Sequence, residues 1–290
     1  MSKPFRAQIH SKLADENLQS ALDANAERRI QVRQQSLASL PEFASRRLQA
    51  HEVRAGVVAH LDTYLEQFAQ RAQANGILLH RAADAAEAVR IVLEIAQQHD
   101  AHLIAKSKTM VSEEIHLNHT LEHAGLKVVE TDLGEYIVQL RGEAPSHIIT
   151  PAVHLRRSDV GQTFHEKLGV PYTDDIPTMT ELARRVLREV FLSADMGLSG
   201  VNFGVVENGM LCVLTNEGNG RMVTTVPPVH IALMGIERMV PTLDDLALML
   251  SLLPRSATGQ KMTVYASLLF GPRRPDDPDG PQERHQSEER

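Results

Sequence analysis

The sequence predicts an α/β protein: a mostly parallel sheet covered on both faces by helices and preceded by a helical N-terminal arm. Three observations predict it. From Gly76 to Glu130, short apolar runs alternate with helix-length amphipathic ones, the rhythm of βα units. Before Gly76 the apolar positions keep helical spacing. Several apolar runs end in charged or glycine-rich segments, and open α/β sheets bind ligands beyond the carboxyl ends of their strands. The expected division is an arm over 1–75, an α/β domain over 76–270, and a disordered tail over 271–290, which is rich in Pro, Asp, Gly, Glu and Arg.

The totals narrow the function. A hydrophobic content of 42% supports a real core, and with aromatics at 4% and no Trp that core must be aliphatic. A formal charge of −7 argues against nucleic acid, which needs a basic field. Cys212 is the single cysteine, so the chain can form no internal disulfide. Residues 1–6 lead into polar helix rather than an apolar signal core, and the densest apolar run, 246–253, is too short for a bilayer. These features predict a soluble cytoplasmic protein with no membrane span.

The elements follow in order. Pro41 suits the opening of a helix, because its missing N–H is not needed in the first turn. Leu48, Val57, Leu61, Leu65 and Phe68 mark one helical face, with Gly76 as the stop. The apolar surface of the arm, Leu22 and Ile30 included, is expected to cover the main domain. Ile77–Leu79 reads as a short strand. Asp84 caps a helix through about Gln98, His102–Ala105 is a strand, a helix runs from Val111 to Ala124, and Val128–Glu130 is a strand. Further strands are expected at 201–206, 210–215, 229–234 and 262–269, with helices near 178–192 and 242–253.

The most informative stretch is Thr215–Arg221, which follows the apolar run Met210–Leu214 and carries more polar groups than a chain reversal requires. Its glycines admit close approach of a ligand, and Arg221 can grip a carboxylate through two parallel hydrogen bonds. Ala194–Gly204 reads as a second glycine-rich polar loop against the same strand. Lys106 and Lys108 end one strand, and Asp132 and Glu135 follow another. The expected site therefore binds a small carboxylate: Lys106, Lys108 and Arg221 supply charge, and Asp132, Glu135, Asn202, Glu217 and Asn219 orient the ligand. Glu207-Asn208-Gly209 reads as a hairpin turn, yet its Glu207 carboxylate could serve as a nucleophile or general base. Glu113, His116 and His123 share one face of a predicted helix and could ligate a metal, but a solvated His-rich face is the commoner arrangement, and no metal is expected. No P-loop or Gly-x-Gly-x-x-Gly fingerprint is present.

Several joined segments resemble one family. They are Ala105–Met110 with Ser112–Ile115, Glu130–Ile137, Pro145–Ile148, Ala194–Asn202, Thr215–Arg221 and Gly271–Pro275. They resemble the LUD-domain family, in its lactate utilization protein B group, over about residues 10–284. The resemblance implies a three-layer α/β fold of the NagB/RpiA/CoA-transferase-like type and a part in oxidising L-lactate to pyruvate alongside companion lactate utilization proteins, one of them iron–sulfur. Family members continue past Gly271–Pro275 into a ferredoxin-like domain holding iron–sulfur clusters. Here the chain ends at Arg290, so a natural truncation, a split-gene product or an excised domain is expected, with no cofactor of its own. The same superfamily offers an alternative, a CoA-transferase-like enzyme, because Glu207-Asn208-Gly209 resembles the catalytic Glu turn of class I members.

Overall fold

The computed structural model describes residues 3–143, 145–146 and 150–273. Four helices open the chain: α1 (Lys3–Leu13), α2 (Glu16–Ala38), α3 (Phe43–Ala59) and α4 (Leu61–Ala74). There follow α5 (Ala85–Gln98), β1 (Leu103–Lys106), α6 (Met110–Glu114), α7 (Leu117–His123), β2 (Lys127–Glu130), α8 (Leu133–Arg141), α9 (Arg157–Leu168) and α10 (Ile176–Ser193). The second half carries β3 (Met196–Gly200), β4 (Phe203–Val205), β5 (Met210–Thr215), α11 (Asn219–Thr225), β6 (Val229–Leu233), β7 (Met239–Val240), α12 (Leu243–Ala257) and β8 (Tyr265–Leu269).

The expected parallel sheet is present, in the order β2-β1-β3-β6, with every pairing parallel. Strand parity assigns its two faces. Ile104, Val128, Met196 and Leu198 pack beneath α5 and α7. Ala105 and Val129 pack against α8, α10 and α11 through Tyr136, Leu187, Phe191 and Val223. Asp84 caps α5 by accepting the Glu87 N–H, as the sequence predicts.

The remaining strands form a second sheet, β7-β4-β5-β8. Ala50 of α3 and Leu246 and Met249 of α12 cover one face of it; Val57, Phe68 and Ala72 of α3 and α4 cover the other. The later part of the arm is thus built into the core. Helix α2 lies along α12, where the buried Arg255 donates to the Ser36 carbonyl and the Ser39 hydroxyl.

Four expectations need correction. Ile77–Leu79 is extended but joins no sheet; Ile77 and Leu79 tuck into the α4 cluster while Leu78 faces solvent. The expected helix over 111–124 is two helices, broken where His116 takes a left-handed φ of 53°. The glycine-rich segment 194–204 is no loop: β3 is an inner strand of the parallel sheet. Its glycines serve close packing, since a Cβ on Gly197 would lie 2.1 Å from the Val223 carbonyl oxygen and one on Gly200 would lie 2.8 Å from Thr109 Cβ. Finally, Gly271 and Pro272 pack against Asn75 and Gly76, whereas 274–290, the rest of the expected tail, lies outside the described residues.

Phe68 is 3% exposed and Ile30 is 56% exposed. Phe68→Ala should therefore lower unfolding free energy by about 3–5 kcal/mol, as for other buried Phe truncations, and Ile30→Ala by less than about 0.5 kcal/mol. Urea unfolding of the two variants checks this, and equal effects would contradict the packing described.

Candidate functional site

Strand β1 reads Leu-Ile-Ala-Lys, so parity turns Lys106 to the same face as Ile104. In register beside it, Glu130 ends β2. Two apolar strands thus deliver opposite charges to neighbouring positions at the carboxyl end of the sheet. The Lys106 ammonium is fully buried and lies 2.5 Å from Glu130 Oε1 and 2.8 Å from Glu113 Oε1. Asn118 Nδ2 on α7 donates to the same Glu130 oxygen at 2.7 Å. Burial by itself would push the Lys106 pKa down, but Glu130 and Glu113 outweigh it and hold the pKa above its ordinary value.

The backbone ties this network to the strand ends. The Lys106 carbonyl accepts both the N–H and the hydroxyl of Thr131. Gln139 of α8 accepts the Glu130 N–H and donates to the Val128 carbonyl, so α8 is pinned to β2. Asp132 caps α8 by accepting the Gly134 and Glu135 N–H groups.

A second pair lies next to the first. Lys108 Nζ stands 3.7 Å from Glu135 Oε1, with the Lys108 side chain 26% exposed and that of Glu135 7% exposed. Burial chiefly, and the nearby Glu130 next, push the Glu135 pKa up to about 8 against the pull of Lys108 and Lys106. At neutral pH Glu135 is therefore mostly a neutral acid, and the partly exposed Lys108 lies within electrostatic reach of both it and Glu217. Glu135 Oε2, Glu130 Oε2, Thr109 Oγ1 and Asn118 Oδ1 are buried without hydrogen-bond partners among the described residues. The arrangement can attract an anion at Lys108 and offer or take a proton at Glu135.

Other expected site residues fall at its rim or elsewhere. Asn219 Nδ2 reaches Thr131 Oγ1 at 3.4 Å. Glu217 faces solvent along much of its length, but partial burial of its carboxyl and the nearby Asp132 raise its pKa, opposed by a hydrogen bond from the Leu133 N–H. Arg221 is exposed, with its guanidinium 5.7 Å from the centroid of the Tyr265 ring. Asn202 sits where the chain crosses between sheets, and its Oδ1 accepts the Leu214 N–H. Glu207 occupies the β4–β5 turn, at the opposite end of β5 from Thr215, roughly 17 Å of strand away. There its carboxylate accepts the Leu243 N–H at the start of α12. Among the described residues, the contacts of Glu207, Asn202 and Arg221 run to Leu243, Leu214 and Tyr265 rather than to the Lys106 cluster.

The break at His116 removes the shared face expected for Glu113, His116 and His123. Among the described residues no group of three or more His, Cys, Asp or Glu could hold a metal ion. Cys212 is buried and its thiol is pushed up to about 12 by burial. One inert cysteine does not fit an iron–sulfur cluster, which takes four protein ligands. Two surface clefts, of about 420 and 540 Å3, lie on the arm, the first beside Ile30 and Phe43 and the second between α3 and α12.

Sequence reading missed Glu130, Asn118 and Thr109, and weighed Glu113 only for metal. The available signal was a Lys and a Glu closing successive apolar strands of a parallel sheet.

These features define an α/β protein with a polar site at the strand ends of a parallel sheet. The LUD domain profile matches residues 65–286, and the chain belongs to that family. It is 42% identical over 282 residues to "Uncharacterized electron transport protein YkgF" of Escherichia coli strain K12, covering 97% of this chain and 59% of that protein. It is 42% identical over 285 residues to "Lactate utilization protein B" of Bacillus pumilus, covering 98% of this chain and 60% of that protein. The protein of the same name from Macrococcus caseolyticus is 41% identical, again with 98% and 60% covered. The chain thus spans about three fifths of the length of these relatives. No solved structure matches it.

Two outcomes test the site. Lys106→Met would leave Glu130 buried and uncompensated, and should cost about 3–5 kcal/mol of stability in urea unfolding. A loss below about 1 kcal/mol would mean that the pair is not buried. An acid whose pKa rises on folding supports the fold fully below its unfolded value and loses that support as pH climbs to the raised one. Glu135 should therefore make stability fall between pH 4.5 and about 8. Glu135→Gln should flatten that decline; parallel pH profiles for the two proteins would contradict it.

Proposed function

We propose that the chain is the LUD component of an L-lactate utilization system and holds a small carboxylate, lactate or pyruvate, at the ends of β1 and β2. The observation that carries this reading is the identity of about 40% to relatives named lactate utilization protein B across nearly the whole chain. The charges beside α8 support it. Lys108 attracts the ligand carboxylate, and the neutral Glu135 carboxyl shares a proton with the oxygen at C2. Asn219 and Glu217 border the mouth, while Asp132 acts through α8 as a positioning residue. Lys106 steadies the floor and makes no ligand contact.

The remaining assignments belong to the same proposal. The fold is of the NagB/RpiA/CoA-transferase-like type, with residues 1–75 as arm and 76–270 as LUD domain. The setting is the cytoplasm; no helix among the described residues is long and apolar enough to cross a membrane. Lactate oxidation releases two electrons, and the chain's lone cysteine supplies no cluster ligands to take them, so iron–sulfur centres reside in companion proteins or in the longer relatives. This chain contributes binding and proton handling as a non-autonomous subunit.

Calorimetric titration with L-lactate and pyruvate tests the reading. Binding of either acid is expected, and Lys108→Ala should weaken it about tenfold or more, the effect of one charge-assisted contact. Affinity unchanged in that variant would remove Lys108 from the site, and absence of binding by both acids would overturn the carboxylate assignment.

A further inference from the structure

Beyond the end of α8, three reactive side chains meet that the carboxylate site does not use. Glu143 follows Gly142, whose left-handed φ of 67° stops the helix. Ser146 is exposed, and its N–H donates to the Pro151 carbonyl. Pro151 is buried against Gly134, and Ala152 and Leu155 join the cluster of Ile137 and Phe164, which fixes the chain on both sides of His154. His154 Nδ1 stands 2.6 Å from Ser146 Oγ, and its Nε2 stands 2.9 Å from Glu143 Oε2. The other Glu143 oxygen accepts from Arg141 at 2.9 Å and 2.7 Å, and Arg141 also donates to Thr163 Oγ1 of α9 at 3.1 Å. The Arg141 hydrogen bond chiefly, with that of His154, holds the Glu143 carboxyl below its ordinary value against the effect of burial, so it is ionised. A carboxylate can only accept. In the neutral ring Nε2 therefore carries the proton, and Nδ1 is left to accept the Ser146 O–H.

We propose that Ser146, His154 and Glu143 form a nucleophilic site that hydrolyses small activated acyl esters, an activity separate from carboxylate binding at β1 and β2. A hydroxyl within hydrogen-bond reach of a base, and a third group that orients the base, are the signature of an activated nucleophile. Exposure divides in the sense such chemistry needs: Ser146 is open to solvent, while the His154 side chain is 16% exposed and held from behind by Glu143. Ser146 Oγ bonds to the ester carbonyl carbon and passes its proton to His154 Nδ1. That proton goes to the leaving oxygen as the ester C–O bond breaks, which leaves an acyl group on Ser146. Water then gives a proton to the freed Nδ1 and attacks the acyl carbon, and Ser146 Oγ departs with the proton it had lost. The net reaction is ester and water to acid and alcohol. These three groups supply a nucleophile and its base, so the esters they suit are short ones whose leaving group departs readily, such as aryl esters.

Treatment of the full chain with p-nitrophenyl acetate, followed by nitrophenolate release and by peptide mass mapping, tests this. Ser146 should be acetylated about a hundredfold or more faster than Ser45, an exposed serine on α3, since a positioned general base contributes roughly 10²–10⁴-fold. Nitrophenolate release should continue past one equivalent per chain. His154→Gln should slow acetylation of Ser146 about a hundredfold and leave both the Ser45 rate and the far-UV circular dichroism spectrum unchanged. Equal acetylation of Ser146 and Ser45 in the unaltered chain would overturn the proposal without recourse to any variant. So would fast acetylation of Ser146 that His154→Gln leaves untouched, or release that stops at one equivalent.

Discussion

A lysine ammonium with no exposure to water must find its compensation inside the protein, and that need organises the polar end of this fold. Lys106 closes β1 because parity points it under the helical layer, away from solvent. Desolvating a charge costs several kcal/mol, and partners must recover it through good geometry. Glu130 arrives from β2 through the parallel register, Glu113 from the short helix α6, and Asn118 from α7 to satisfy the shared carboxylate. Three separate elements are therefore fixed by one charge. The adjoining carboxyl of Glu135 enters the same low-dielectric region already facing Glu130, which is why it resists ionisation despite Lys108 at 3.7 Å.

The packing that surrounds this end depends on small residues on β3. Gly197 lets the backbone of α11 come down onto the sheet, and Gly200 admits Thr109 from the loop that carries Lys108. Ser199, between them, is buried and hydrogen-bonded to His230 Nε2 at 2.8 Å; burial lowers that imidazole to about 4 and keeps it neutral. Both lie on the opposite face from Lys106, so one strand separates a neutral hydrogen-bonded pair from a charged network. The helical arm contributes at a different level. Its later half completes the core of the second sheet, and α2 is tied to α12 through Arg255.

The sequence made some of this legible. Strands β1 and β2, the Asp84-capped helix and the strand β8 follow from periodicity and capping chemistry. The central strand β3 did not, because glycine was read as a turn residue when Gly197 and Gly200 are present for backbone contact. The helix break at His116 was hidden because a left-handed φ at a non-glycine residue has no strong local signature. At the site, Lys108 and Glu135 are brought together as their strand-end positions suggested. The strand-end rule also exposed Lys106, but as a solvent-facing ligand group rather than a buried ion. Its partner Glu130 was read only as the last residue of a strand, since register between strands is a tertiary property. Arg221 and Glu207 were chosen for side-chain chemistry alone, and their surroundings give one an aromatic neighbour and the other a helix N-terminus.

The central claim is that Lys106 is a buried, charged lysine held by carboxylates. Side-chain ammonium NMR of protein carrying 15N-labelled lysine, followed from pH 6 to 9, tests it most directly. The account predicts one ammonium signal with slowly exchanging protons throughout that range, absent from the Lys106→Arg variant. Ammonium protons that all exchange at solvent rates, with no signal lost in that variant, would contradict it.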